Sequence, residues 1–398
     1  MADKHVALAF SGGLDTSFCV AWLRDQGYRV TTATVDTGGF DAIELKRIAS
    51  ASAMLGAVAH HTVDARARLF DRYLRFLIFG NVLRGGTYPL SVSAERVCQA
   101  ECVVDVARSV GASALAHGST GAGNDQVRFD VAFTALASDL ELITPIRALA
   151  LSRADEATFL AARGVEVSSR TRAYSVNEGM WGASVGGRET LESWPGLPDD
   201  VFPGGPIDAP APRTLVVSFD RGVPVALDGT ALEPVPLIET LNMAGRKYGI
   251  GRGVHLGDTV LGIKGRVGFE APAAHLLIGA HRELEKLVLT GRQLFWKESL
   301  GNLYGSLLHE GHYFDPVARD VEAFLTSTQQ RVTGDVRVTL RERSFSIDGL
   351  RSPHSMMDPR VASYGESNAL WTGEEARGFA KLYGVPQVLA RRAGREHE

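Results

Sequence analysis

The sequence predicts a doubly wound α/β nucleotide-binding domain on a parallel sheet, then an α+β domain, then a helical C-terminal arm. Three observations carry that reading. Short apolar runs alternate with helical patterns from the N-terminus to Pro145, glycine-rich turns follow two of those runs, and beyond Thr214 strand-like segments follow one another directly. The divisions that suit these changes are 1–168, 169–365 and 366–398.

Val6–Phe10 is a continuous apolar run, the pattern of a parallel strand buried on both faces. A helix follows from about Thr16 and stops at Gly27, and Arg29–Val35, rich in valine and threonine, is the second strand. Asp41, with Glu44 three residues on, starts a helix that ends near Gly56. Ala57–Val63 is a third strand, followed by a helical run towards Gly80. Ala94–Val110 is helical in pattern, Ala112–His117 is a strand ending in the second glycine-rich turn, and Leu140–Ile143 is a further strand. Prolines and glycines between Trp194 and Pro212 break any regular element, so that stretch is a loop. Thr214–Phe219, Val223–Leu227 and Thr259–Lys264 read as strands, Pro272 to about Tyr304 as one long helix, and Thr333–Leu340 with Ser344–Ile347 as a hairpin. Glu374–Ala393 closes the chain as a helix with a basic end at Arg391, Arg392 and Arg395.

A chain of 398 residues suits two domains plus a tail. The net charge of −4 leaves no electrostatic footprint for nucleic acid or for an anionic membrane surface. Cys19, Cys98 and Cys102 are too few and too irregular for a disulfide framework, which favours a reducing compartment. Cys98 and Cys102 could share a helix face, but no histidine or third cysteine lies near them, so packed thiols are expected rather than a metal site. The N-terminus runs straight into a motif without a signal-peptide cleavage pattern, and no stretch approaches the ~20 apolar residues of a membrane span. A cytoplasmic protein is expected.

Ser11-Gly-Gly-Leu-Asp-Thr-Ser17 sits between the first strand and the first helix. Gly12 and Gly13 permit positive φ and close approach of a ligand. Ser11, Thr16 and Ser17 supply hydroxyls, and the helix N-terminus supplies free N–H groups, which together make an anion cradle. The second cluster, His117 to Phe129, also follows a strand. Its polar groups can hold an amino acid: Asp125 suits an ammonium, Thr120 and Asn124 a carboxylate, and Arg128 a second carboxylate.

The first loop, with no Gly-Lys-Ser/Thr of a P-loop, resembles the pyrophosphate loop of the ATP-pyrophosphatase superfamily, whose domain is of the adenine nucleotide alpha hydrolase type. That likeness implies cleavage of ATP between its α and β phosphates and transfer of AMP. From near residue 5 to about 390 the chain resembles the argininosuccinate synthase family. The likeness rests on both clusters and on Tyr88-Pro-Leu90 with Ser93 and Arg96, Tyr174-Ser175 with Trp181-Gly182 and Ser184, Gly262-Ile-Lys264, and Thr333-Gly-Asp-Val-Arg337. It implies that Ala9, Phe10, Ser11, Gly12, Gly13, Leu14, Asp15, Thr16 and Ser17, with Val35 and Gly118, surround ATP. Thr120, Asn124 and Asp125 would hold aspartate, and Tyr88, Ser93, Asn124, Arg128, Ser175 and Ser184 a citrulline-like acceptor. Asp15, Asp125 and Arg128 would be the catalytic groups, with Asp15 the partner of Mg²⁺ or of the loop backbone. The C-terminal arm would reach neighbouring subunits of a homotetramer.

Several positions leave the family pattern. Ala122 stands where the family has a lysine, Gly257 where it has the acceptor-binding glutamate, and Phe269 where it has the acceptor-binding tyrosine. Ser91 replaces a glycine and Glu101 a lysine, and Asp258 is the one acid close to Gly257. The leading expectation is synthesis of argininosuccinate from citrulline and aspartate, with release of AMP and pyrophosphate. Ala122, Gly257 and Phe269 favour an alternative, a paralogue of specialised metabolism that joins aspartate to a different ureido or amide acceptor. A third reading is a non-catalytic nucleotide-binding regulator, against which both intact loops argue.

Overall fold

The computed structural model describes residues 4–165, 174–208, 211–365 and 367–395. It divides into one compact unit ending at His354 and a second beginning at Ser355.

The first half alternates as expected. In order come β1 (His5–Ala9), α1 (Leu14–Asp25), β2 (Arg29–Asp36), α2 (Ala42–Met54), β3 (Ala59–Asp64), and α3 (Arg66–Leu69), which a π-helical turn joins to α4 (Arg75–Phe79). After them lie α5 (Ser91–Ser109), β4 (Ala114–Ala116), α6 (Asn124–Leu136), β5 (Glu141–Ile143), α7 (Pro145–Leu149) and α8 (Arg153–Ala161). The five strands pair in parallel in the order β3-β2-β1-β4-β5. Strand order reverses between β1 and β4, so the carboxyl ends of those two strands bound the crevice where such sheets bind ligands. Local chemistry sets the helix ends: Asp41 caps α2 by accepting from Glu44 N at 2.7 Å, and Gly27, at φ +82, turns the chain out of α1.

The second half holds β6 (Tyr174–Gly179), β7 (Gly182–Gly187), β8 (Arg213–Asp220), β9 (Val223–Leu227), β10 (Thr230–Ala231), α9 (Pro234–Arg246), β11 (Arg252–Asp258) and β12 (Lys264–Glu270). It continues through α10 (Pro272–Val288), α11 (Gly291–Glu310), α12 (Pro316–Thr328), β13 (Gly334–Arg341) and β14 (Ser344–Arg351). Two antiparallel sheets result, β10-β9-β8-β13-β14 and β11-β12-β7-β6. The second unit carries the short pair β15 (Ala362–Ser363) and β16 (Ser367–Asn368), then α13 (Gly373–Tyr383) and α14 (Val385–Arg395).

Three expectations change, and one hairpin was not expected. Thr259 to Ile263 is the turn of the β11–β12 hairpin, not a strand: Gly262 lies at φ +83, and the apolar Leu261 and Ile263 project into solvent. The long helix is two, because Leu289 is extended and Thr290 opens α11 with a capping box to Gln293. Apolar periodicity runs across that break and hid it. The C-terminal helix is likewise broken at Gly384, and Pro386, which has no N–H to give, sits in the first turn of α14. The β6–β7 hairpin lacks a strand-like composition, since glycine supplies Gly179, Gly182, Gly186 and Gly187.

Helix α5 is buried along most of its length and packs on β1 and β2, on α6 and α11, and on β6 and β7. Its N-terminal turn is therefore fixed from both halves of this unit. A buried polar network braces α10: Glu285 accepts from Asn81 Nδ2 at 2.6 Å, Gln329 Nε2 at 2.9 Å and Lys297 Nζ at 2.9 Å. Removing Lys297 would strand a fully buried carboxylate, at about 3–5 kcal/mol.

Candidate active site

The loop after β1 is held by its own hydroxyls. Ser11 Oγ and Thr16 Oγ1 lie 3.3 Å apart, Thr16 Oγ1 donates to Gly13 O at 3.3 Å, and Gly13 N donates to Ser11 Oγ at 3.4 Å. Of the two glycines only Gly12 needs a left-handed backbone, at φ +70, and a Cβ there would lie 3.0 Å from Ile48. Gly13 is extended at φ −81, so its use is the absence of a side chain rather than positive φ. Thr34 Oγ1 donates to Phe10 O at 2.7 Å, anchoring the start of the turn on β2, and Ser17, Phe10 and Val35 are buried beneath it. Ala9 and Leu14 are half-buried at its edges.

Gly118 joins the two glycine loops. A Cβ there would come within 3.2 Å of Thr16 Cγ2 and 3.3 Å of the Asp15 backbone, so the absence of a side chain lets the β4 loop lie against the β1 loop without displacing it. His117 shapes the rest: its Nδ1 accepts from Ser119 N at 3.1 Å while Nε2 meets Asp130 at 2.8 Å. Thr120 and Ala122 are on the exposed crest of this loop.

Asp15 is bonded to Glu156 of α8, a nearly fully buried carboxyl with Oε2 unpartnered. Burial, together with the Asp15 charge, pushes Glu156 up to about 7. Glu156 therefore holds its proton to near neutrality.

Asp125 opens α6 between two guanidiniums, with Arg96 Nε at 2.9 Å and Arg128 NH1 at 3.0 Å. Desolvation opposes its charge, but the two arginines outweigh it and hold the carboxyl below its ordinary value. Arg96 also donates to Asn177 Oδ1 at 2.9 Å, tying α5 and α6 to β6. Arg128 is buried; its Nε donates to His309 O at 3.0 Å and its NH2 lies 3.2 Å from His309 Nδ1. Among the described residues three of its five N–H groups are thereby used, which leaves two open to a ligand. Burial and the neighbouring Arg128 and Arg84 push His309 down to about 3, so the ring is neutral and its Nε2–H faces Asp258 O at 3.3 Å. Asn124 Oδ1 accepts from Val260 N at 2.9 Å, which fastens the β11–β12 turn over the start of α6.

The antiparallel register brings together the residues expected to meet the acceptor. Gly253, Phe269, Ser184 and Asn177 stand opposite one another across β11, β12, β7 and β6, and so share one face. His255 and Gly257 follow Gly253 along that face by the period of two, and Ser175 follows Asn177. Tyr88 meets this face, 5.5 Å from the His255 ring and 5.7 Å from Phe269. Its loop is tight: Leu90 is left-handed at φ +60, and Trp181 Nε1 donates to Pro89 O at 3.1 Å. Asp258 lies on the opposite face from Gly257 and pairs with Lys264 at 2.6 Å, so the acid nearest in sequence is turned away and occupied.

Ser91, Ser93 and Glu95, in the first turns of α5, are buried with Ser91 Oγ, Ser93 Oγ and Glu95 Oε1 unpartnered. Gly179 makes room for the Glu95 carboxyl, which fills the place a Cβ would take. Burial, with Asp125 and Glu178 nearby, pushes Glu95 up to about 8 despite Arg96. Sequence reasoning missed Glu95, Glu156, His255 and His309. No local pattern marks them; a long-range contact makes each one matter.

Comparisons with known proteins agree along the chain. The family model described as the arginosuccinate synthase N-terminal HUP domain matches residues 5–166, and the one described as the arginosuccinate synthase C-terminal domain matches residues 174–390. The chain is 40% identical to the argininosuccinate synthase of Xanthomonas campestris, over 98% of each chain. It is 37% identical to that of Methanocaldococcus jannaschii, over 97% of this chain and 98% of the relative. The argininosuccinate synthase of Staphylococcus aureus is 35% identical over 96% of each.

Proposed function

Because the chain belongs to the argininosuccinate synthase family, we propose that it condenses citrulline with aspartate, driven by cleavage of ATP to AMP and pyrophosphate. One observation carries this reading: two glycine loops touching at Gly118, at the strand-order reversal of a parallel sheet, beside a polar face that presents Tyr88, Ser184 and the Arg128–Asp125 pair.

A ureido carbon resists amines because its oxygen leaves poorly. Transfer of AMP onto that oxygen remedies this, and pyrophosphate leaves into the Ser11–Ser17 cradle, where free N–H groups at the start of α1 favour an anion. Thr120, Asn124 and Asp125 orient aspartate; its amine attacks the activated carbon, loses a proton and expels AMP. With Asp125 held ionised by two arginines, its role is to bind and orient the aspartate ammonium. The two open N–H groups of Arg128 take the acceptor carboxylate. Most of the catalytic gain is positioning and charge stabilisation. Asp15 and Glu156 fit a divalent cation, since Mg²⁺ favours one or two carboxylates plus phosphate oxygens; bound there, it would neutralise phosphate charge.

Domains 1–168 and 169–365, a 366–398 arm, a homotetramer and a cytoplasmic location complete the reading. Phe379, Leu382, Tyr383 and Leu389 are exposed on the arm helices, as a partner surface would require, and among the described residues no helix is long and apolar enough to cross a membrane. Pyrophosphate release with ATP, aspartate and citrulline tests the activity, and product mass identifies argininosuccinate. Absence of release with all three substrates present refutes it. Sedimentation at micromolar concentration tests the tetramer, and a monomer refutes that part.

A further inference from the structure

We propose that His255 is the specificity-determining residue of the acceptor site, its ring standing in the volume a side chain at 257 would need and presenting a nitrogen to the polar end of the acceptor. The inference rests on the reading of Tyr88 and its sheet face as the acceptor side.

His255 and Gly257 share a face of β11, and a Cβ on Gly257 would lie 2.6 Å from His255 Nε2. On its other side the ring is seated by Gly85, which is left-handed at φ +61 and whose Cβ would come within 3.1 Å of Cε1. Tyr88 stacks on it, centroids 5.5 Å apart and planes 19° from parallel. Three independent features thus hold one ring in one place: a missing side chain at 257, a missing side chain at 85, and an aromatic stack. Nothing among the described residues makes a hydrogen bond to the ring, although it is half-buried. A ring so placed and left without a partner is available to a ligand.

The surroundings say which ligand chemistry it meets. Burial and Arg84 lower its basicity, so the imidazole is neutral. Arg84 reaches Asp258 O at 3.4 Å, His309 is neutral beside Arg128, and the Asp258 carboxylate is committed to Lys264 on the other face. Among the described residues this end of the face therefore offers a hydrogen bond but no uncommitted carboxylate. An acceptor ammonium is met by one neutral acceptor, and an acceptor lacking that group loses only one hydrogen bond.

The test compares kcat/KM for citrulline and for its des-amino analogue, 5-ureidopentanoate, in the full-length protein. The wild type is expected to prefer citrulline by roughly tenfold or less, the scale of one neutral hydrogen bond. His255→Ala should bring the ratio towards one and raise the acceptor KM, with the KM of aspartate and of ATP within about twofold of wild type. Gly257→Ala, which crowds the ring without removing it, should move the ratio the same way. Gly257→Glu with His255→Ala, which frees the space and supplies a carboxylate, should raise the ratio at least about thirtyfold. An unchanged ratio in both His255→Ala and Gly257→Ala, or an equal rise in the aspartate KM, overturns the role of His255 while leaving the synthase reading intact. A wild-type protein that neither turns over nor binds either ureido compound by calorimetry overturns both.

Discussion

Replacing Glu95 by glutamine should make the protein more stable at alkaline pH and little different at pH 5. The carboxyl is almost wholly buried, one oxygen lacks a partner, and Asp125 and Glu178 add like charge. In the folded chain it holds its proton up to about pH 8, against 4.5 when unfolded. Between those values the native state binds the proton and the unfolded state does not, so stability falls as pH rises through the window. A difference of 8 minus 4.5, at about 1.4 kcal/mol per unit, sets an upper limit of about 5 kcal/mol, and a loss of a few kcal/mol is expected. Glutamine has the same shape and no charge to bury, so its stability should stay flat over this range. Urea midpoints of wild type and Glu95→Gln at pH 5 and pH 8.5 measure the effect. Parallel curves, with the same difference at both pH values, would show that Glu95 is already ionised in the fold and that Arg96 carries its charge.

Three other perturbations separate the parts of the site. Gly12→Ala puts a side chain at φ +70 within 3.0 Å of Ile48, so ATP-dependent turnover should fall at least about a hundredfold while the melting temperature drops only by the cost of about 1–2 kcal/mol of local strain; near-wild-type release of pyrophosphate would remove the cradle from the mechanism. Arg96→Leu leaves Asp125 with Arg128 alone and Asn177 without its donor, so the aspartate KM should rise about tenfold or more and stability fall by about 3 kcal/mol, both readable from kinetics and denaturation. Glu156 keeps its proton to about pH 7, so Mg-ATP should release up to about one proton at pH 6.5 in weak buffer and Glu156→Gln much less; equal release from both proteins counts against Asp15 and Glu156 as the cation site.

The strands and glycine turns of the first half were legible because each has a local cause. Val6–Leu8 is apolar and buried, Asp41 and Glu44 state a helix start, and the order strand–glycine–helix marks both loops before any contact is known. The second half was less legible where period and composition mislead. Val260, Leu261 and Ile263 read as strand but cap a hairpin, and the apolar period ran through Leu289 although Thr290 and Gln293 spell a new helix. Gly179, Gly182, Gly186 and Gly187 hide a hairpin, since glycine announces flexibility rather than pairing.

The sequence by itself determined the family and the parallel nucleotide sheet, and it singled out Ser11–Ser17 as a proposed cradle and Ala122, Gly257 and Phe269 as proposed departures from the family pattern. Only the tertiary structure decided what fills those departures. His255 stands over Gly257 because a strand alternates its faces, and that alternation turns Asp258 away. Glu95 enters the space left by Gly179 because α5 is packed against β6, and Arg128 is fixed by His309 from a helix far along the chain. Backbone conformation is encoded by neighbours in sequence, so it can be read in order. Side-chain partnership depends on sheet register and helix docking, which are set by burial of the whole core and appear in no local stretch.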